Sequence, residues 1–213
     1  MKPSSICSTK QFLTLLTASV LSFSYAASAE EPIYKLEESW EIKIRAADAD
    51  IQAPQVSTVM TPDSRQNGDY FVFNLNHATQ PEFSGGSMQV HCWQFDELFA
   101  YNLPLEFGFL RPGEESVTWT QCLELRDGNL IYTVGDGSSR TWGDFGGEEA
   151  LRISMPSSLQ DLNGYSSDET VSGSEVGFAG NRVDRLVLNS VKYYGKNGLV
   201  KQTTDPIVVH QSQ

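Results

Sequence analysis

Cysteine, histidine and basic residues are all scarce in this chain. Its 213 residues include three Cys, three His and 15 Lys plus Arg, against 27 Asp plus Glu. His77, His91 and His210 are scattered, and no His-Glu-x-x-His occurs, so a zinc site is not expected. A Gly-rich phosphate loop and a Gly-x-Ser-x-Gly elbow are also missing, which argues against nucleotide and α/β-hydrolase chemistry. The Glu-x-Asp-x-Glu pattern of many sandwich-fold glycosidases is absent too. The pairs Glu37-Glu38 and Glu148-Glu149 would point to opposite faces of a strand, a poor geometry for paired carboxylates. The net charge of −12 repels phosphate backbones and anionic lipid, so neither nucleic acid nor a membrane is expected as a partner.

Long apolar runs are missing except at the start. Lys2 and Lys10 precede an uncharged stretch over residues 12–27, and Ala27-Ser28-Ala29 then offers small residues for cleavage. The stretch is shorter than the roughly 20 residues of a spanning helix. It reads as a cleaved signal peptide over residues 1–29, followed by a single domain over residues 30–213. Cys7 precedes the apolar run, so a lipid anchor is not expected. The expected location is outside the cytoplasm, whether extracellular, periplasmic or at the cell surface. Removing Lys2 and Lys10 leaves a mature charge of −14.

Cys92 and Cys122 remain after cleavage, and an oxidising compartment favours a disulfide between them. Against that pairing, Cys92 alternates with Met88 and Val90 on an apolar face. Cys122 alternates with Thr118, Thr120 and Glu124 on a polar one.

Helical periodicity is nearly absent after the first segment, whereas period-two alternation is common. Trp40, Ile42 and Ile44 oppose Glu41, Lys43 and Arg45. Phe71, Phe73 and Leu75 oppose Tyr70, Val72 and Asn74. Val117, Trp119, Leu123 and Leu125 share a face with Gln121, and Asp127-Gly128 turns the chain into Leu130, Tyr132 and Val134. A second turn, Asn197-Gly198, follows the run 183–194, and residues 207–210 read as a last short strand. Gly135-Asp136-Gly137 reads as a further break between runs. Residues 96–101 suggest one helical turn, and the Ser-, Asp- and Gly-rich stretch 156–175 a surface loop. Together these patterns predict an all-β fold, an antiparallel two-sheet jelly-roll sandwich.

Two stretches carry candidate sites. Gln89, His91, Trp93 and Phe95 alternate onto one strand face, about 7 Å apart, spanning the length of a disaccharide or more. An amide and an imidazole satisfy sugar hydroxyls, and an indole takes the C–H side of a ring. The alternative is that Trp93 and Phe95 belong to the core, with His91 as a satisfied neighbour. The loop 136–147 offers Trp142 as a second stacking residue, or as a pin that fixes a wide turn together with Phe145. Asp136, Asp144 and Glu148 are the oxygen donors available to calcium, without the spacing of an EF-hand loop. No resident cofactor or metal is expected.

Gln89-Val90-His91 matches the Gln-Ile/Val-His motif of the jelly-roll alginate lyases. Tyr194-Gly195-Lys196-Asn197-Gly198-Leu199-Val200-Lys201-Gln202 resembles their C-terminal Tyr-Phe-Lys-x-Gly-x-Tyr-x-Gln motif, with Tyr194, Lys196, Gly198 and Gln202 in place. The resemblance implies a uronic-acid polymer as substrate. It assigns proton abstraction to His91 and carboxylate neutralisation to Gln89. Val200 stands where the family has its catalytic Tyr, Gly195 replaces the Phe, and no Arg-x-Glu-Leu occurs upstream.

Three expectations follow. The first is a secreted, non-catalytic module binding a polysaccharide or another extracellular polymer through Gln89, His91, Trp93 and Trp142. The second is a polysaccharide lyase acting by β-elimination, with His91 and Gln89 as its catalytic residues. The third is a structural extracellular or envelope protein. Nothing in the sequence bears on the oligomeric state.

Overall fold

The computed structural model describes residues 30–46, 55–64, 68–75, 88–102, 110–147, 150–177 and 182–212. The chain divides into a unit Met1–Glu30 and a unit Glu31–Gln213, and all the described elements lie in the second. The candidate signal peptide, residues 1–29, lies outside the described residues.

Alternation builds the first strand. In β1 (Lys35–Ile44), Leu36, Glu38, Trp40, Ile42 and Ile44 are buried, while Glu37, Ser39, Glu41 and Lys43 alternate to the other side. The next four strands form a meander: β2 (Val56–Met60), β3 (Asp69–Leu75), β4 (Met88–Gln94) and β5 (Glu97–Asn102). Then come β6 (Glu115–Arg126), β7 (Asn129–Ser139), β8 (Gly143–Phe145) and β9 (Arg152–Pro156). A short helix, α1 (Ser167–Gly173), leads to β10 (Glu175–Val176), β11 (Val183–Gly195), β12 (Gly198–Thr203) and β13 (Ile207–Gln211).

These strands make two antiparallel sheets. One runs β10-β2-β3-β4-β5. The other runs β12-β11-β1-β6-β7-β8, with β13 also on β11 and β9 also on β7. The chain therefore leaves the larger sheet after β1 and returns to lay β6 beside it, so the sheets are tied by non-local pairings. Aromatic contacts lock them face to face. Phe71 of β3 stacks on Tyr132 of β7 at 5.2 Å, and Phe73 of β3 meets Trp119 of β6 edge-on at 5.5 Å, while Trp119 also stacks at 6.2 Å on Trp40, its cross-strand partner within the larger sheet. The molecule is an all-β sandwich. Replacing Trp119 by Ala removes contacts to both sheets and should cost about 3–5 kcal/mol.

The Asp127-Gly128 hairpin is present, with φ of 51° and 72° at the two turn residues. The last hairpin turns at Lys196-Asn197, with Gly198 (φ 117°) opening β12. Three local expectations need correction. Residues 96–101 are not a helical turn: Phe95 and Asp96, at φ 50° and 62°, form a tight hairpin turn, and β5 pairs back along β4. The stretch 156–175 is not wholly a loop, because it contains α1, and Leu162, Tyr165 and Thr170 are buried. Gly135-Asp136-Gly137 does not end a strand but lies inside β7. A register shift against Thr118–Thr120 and φ 49° at Asp136 mark a bulge there.

Helix α1 sits beside β2. Val59 N donates to Ser174 Oγ at 2.9 Å, satisfying a strand-edge amide. Thr170 Oγ1 donates to Glu38 Oε1 at 3.0 Å, reaching the inner face of the larger sheet. The helix thus closes the seam between β2 and β1.

Candidate functional site

Met88, Val90 and Cys92 of β4 enter the core, so Gln89, His91 and Trp93 take the outer face of the five-stranded sheet. Cross-strand pairing sets their neighbours. Gln89 lies opposite Asn74, His91 lies between Val72 and Tyr101, and Trp93 lies between Tyr70 and Leu98. The rings of Tyr70 and Trp93 are parallel within 7°, with centroids 6.0 Å apart. The His91 ring lies 6.2 Å from Trp93 and 6.4 Å from Tyr101, wedged between them. Beyond it, Tyr101 is 60 % exposed, and Phe95, Leu98 and Phe99 are exposed as well.

The alternation that places Gln89, His91 and Trp93 together is therefore present, but the polar pair is not open to solvent. Gln89 is 3 % exposed and His91 8 %. Burial holds the imidazole pKa below its usual value and favours the neutral ring. Gln89 Nε2 is buried with no hydrogen-bond partner among the described residues. The exposed part of the face is aromatic: the rims of Tyr70 and Trp93, then Tyr101.

Other predicted site residues fall elsewhere. Trp142 precedes β8 at the edge of the eight-stranded sheet and meets Phe145 edge-on at 6.3 Å. It is half-buried against the core. It pins the wide turn and does not join the β4 strip. The two lyase-like motifs are likewise not brought together. Gln89 and His91 face outward from one sheet. Tyr194, on the other sheet, pairs with Lys35 and lies 3.4 Å from Glu37 Oε2, on the opposite surface of the sandwich. Val200 lies on β12, an exposed edge strand.

Cys92 and Cys122 are both free, which corrects the expected disulfide. Cys92 points into the core, its Sγ 3.1 Å from Met155 Sδ. Cys122 points outward from the larger sheet, opposite Glu37 and Thr133. With its neighbour Leu123 in the core, no bulge redirects it inward. Desolvation raises both thiols, Cys92 to about 12 and Cys122 to about 11. Of the calcium donors, Asp136 and Asp144 lie on β7 and β8, and Glu148 is outside the described residues. Among the described residues, no group of three or more His, Cys, Asp or Glu is placed to hold a metal ion. No helix among them is long and apolar enough to cross a membrane.

A buried polar cluster escaped the sequence reading. Glu38 is fully buried and lies directly opposite Gln121. Its carboxyl accepts from Trp40 Nε1 at 2.9 Å, Tyr165 Oη at 2.5 Å and Thr170 Oγ1 at 3.0 Å. Gln121 joins Thr58 Oγ1 and Tyr132 Oη, each at 2.5 Å, and so links the two sheets. With no cation among these partners, desolvation dominates and raises the Glu38 pKa to about 7. The signal was present in the sequence, since Glu38 has the same parity as Leu36, Trp40 and Ile42.

No family model matches the chain, and no curated protein matches it. Among solved structures, it is similar to a crystal structure of Scytalido-glutamic peptidase bound to a peptide-based transition-state analogue. That similarity is 11 % identity over 82 % of each chain, with a TM-score of 0.35. A likeness of that size carries no argument about function.

Proposed function

We propose that this chain is an exported, non-catalytic binding module. Its ligand surface is the aromatic outer face of the five-stranded sheet, and its ligand is a polysaccharide. The observation that carries this reading is the parallel Tyr70 and Trp93 pair, continued through His91 to the exposed Tyr101. Such a row offers C–H stacking surface at a spacing close to that of successive sugar rings. Gln89 Nε2 lies buried behind the platform, without a hydrogen-bond partner among the described residues, and the stacking reading does not depend on it. The expected signal segment supplies the export.

Retention of the full chain on a panel of immobilised polysaccharides tests this reading. Binding to at least one is expected, with a loss of about tenfold or more for Trp93→Ala or Tyr101→Ala at unchanged fold. Absence of retention, or retention unaffected by both variants, removes the reading. A structural or envelope role is the second reading, and the burial of Gln89 and His91 favours it. Glycan retention that survives neither variant would count against that role.

A further inference from the structure

Charge divides between the two sheets. The five strands of the smaller sheet contain no Lys or Arg; their charged residues are Asp69, Glu97 and Glu175, and Asp96 adds to them at the β4–β5 turn. The strands of the larger sheet carry seven basic residues, among them Lys35, Arg152 and Lys192, beside eight acidic ones, so it is the cations that are confined to one sheet. At the end of the smaller sheet, β5 is hydrogen-bonded to β4 on one side, and no described strand pairs with its other side. Asn102 fastens the end of β5 to the larger sheet, donating to Ala150 O at 2.8 Å and to Arg152 O at 3.0 Å. Among the described residues, the rest of the strand has no second backbone partner.

That edge carries a charge and a bulge but neither of the two commonest blocking residues. Sheet edges are commonly blunted by Lys or Pro. β12, at the end of the larger sheet, carries Lys201, whose ammonium sits 4.2 Å from the centre of the Tyr193 ring. β5 has neither residue. It presents Leu98 at 44 %, Phe99 at 50 % and Tyr101 at 60 % exposure, with Phe95 at 72 % in the preceding turn. A register shift places Phe99 as an extra residue opposite Cys92 and Trp93, so the edge is kinked rather than flat.

We infer that the β5 edge docks an extended, basic and apolar segment of a partner protein by strand addition. Its backbone would pair along residues 97–101, its apolar side chains would cover Leu98 and Phe99, and its cations would face Asp96 and Glu97. Strand addition takes affinity from main-chain bonds and specificity from alternate side chains. Acidic residues beside the edge steer a cationic partner and reject an anionic one. A second copy of this chain is disfavoured as the occupant, because it would bring a second acidic edge to a molecule already at −12.

The test uses the full chain and two short blocked peptides in which Val and Phe alternate with Lys in one and with Glu in the other. Titration calorimetry should show binding of the Lys peptide, weakening as salt rises. Methylation of alternate backbone amides in that peptide should abolish binding. Phe99→Lys should weaken it about tenfold or more, and Glu97→Lys should shift preference toward the Glu peptide. Both positions are exposed, so folding is expected to survive, and circular dichroism checks it. Equal binding of both peptides, binding indifferent to Phe99→Lys or to amide methylation, or no binding of either overturns the inference. Concentration-dependent self-association lost in Phe99→Lys would overturn it in favour of a second copy.

Discussion

Glu38 is held by three neutral donors inside the sandwich, and that arrangement has a thermodynamic sign. Its pKa rises from 4.5 to about 7 on folding, so the native state binds the extra proton between those values. The favourable contribution is present below about pH 4.5 and lost as pH rises through about 7. A shift of that size corresponds to about 3 kcal/mol for a fully buried group. Buried His91 acts in the opposite direction, since its depressed pKa removes stability as pH falls below the usual imidazole value. Urea denaturation from pH 5 to pH 8 should show stability falling on the alkaline side, and Glu38→Gln should flatten that slope. An unchanged slope in the variant would place the titration elsewhere. The cysteines give a second check at this scale. Thiol titration in denaturant should find Cys92 and Cys122 both reactive without reductant, and a peptide map should contain no fragment joining them.

Elements are shaped by contacts that local patterning does not carry. Gly137 lies under the Phe145 ring, where a Cβ would stand 2.3 Å from Cδ2. Gly137→Ala should push Phe145 outward, loosen Trp142 and cost about 1–3 kcal/mol, measured by chemical denaturation. A neutral result would mean that the β7–β8 turn yields freely. Alternation in β1, β3, β4, β6 and β7 was legible because each has a buried inner face, and period two records that directly. β5 was not legible, since an edge strand with Leu98, Phe99 and Tyr101 all exposed has no apolar parity to read. Helix α1 was hidden for another reason. Seven residues rich in Ser and acid are too short to show a helical period, and the helix is held by the Thr170–Glu38 bond and by Ser174 at Val59. The β7 bulge looked like a strand end because Gly135-Asp136-Gly137 has the composition of a turn. In the candidate site, parity placed Gln89, His91 and Trp93 on one face, but the covering of Gln89 and His91 depends on neighbouring strands that parity cannot supply.

Across the whole molecule, the two outer faces differ in chemistry. The larger sheet displays an ionic ladder, with Glu37 bonded to Lys192 at 2.7 Å and set 3.6 Å from Lys35. These pairs are partly solvated and contribute little stability. The smaller sheet displays aromatic rings and acid without a basic residue in its strands. On the proposed reading a ring-stacking polymer uses the second face, whose described strands offer a polyuronate no Lys or Arg. Neutral or amine-bearing polysaccharides should therefore be retained more strongly than alginate, and a reversed order would contradict that assignment. Hydrogen exchange of the full chain, with and without the most strongly retained polysaccharide, locates the contact directly. Slowed exchange confined to β3, β4 and β5 is the predicted footprint. Slowed exchange centred on β1, β6 and β11, or none at all, would contradict the placement of the binding surface on the five-stranded sheet.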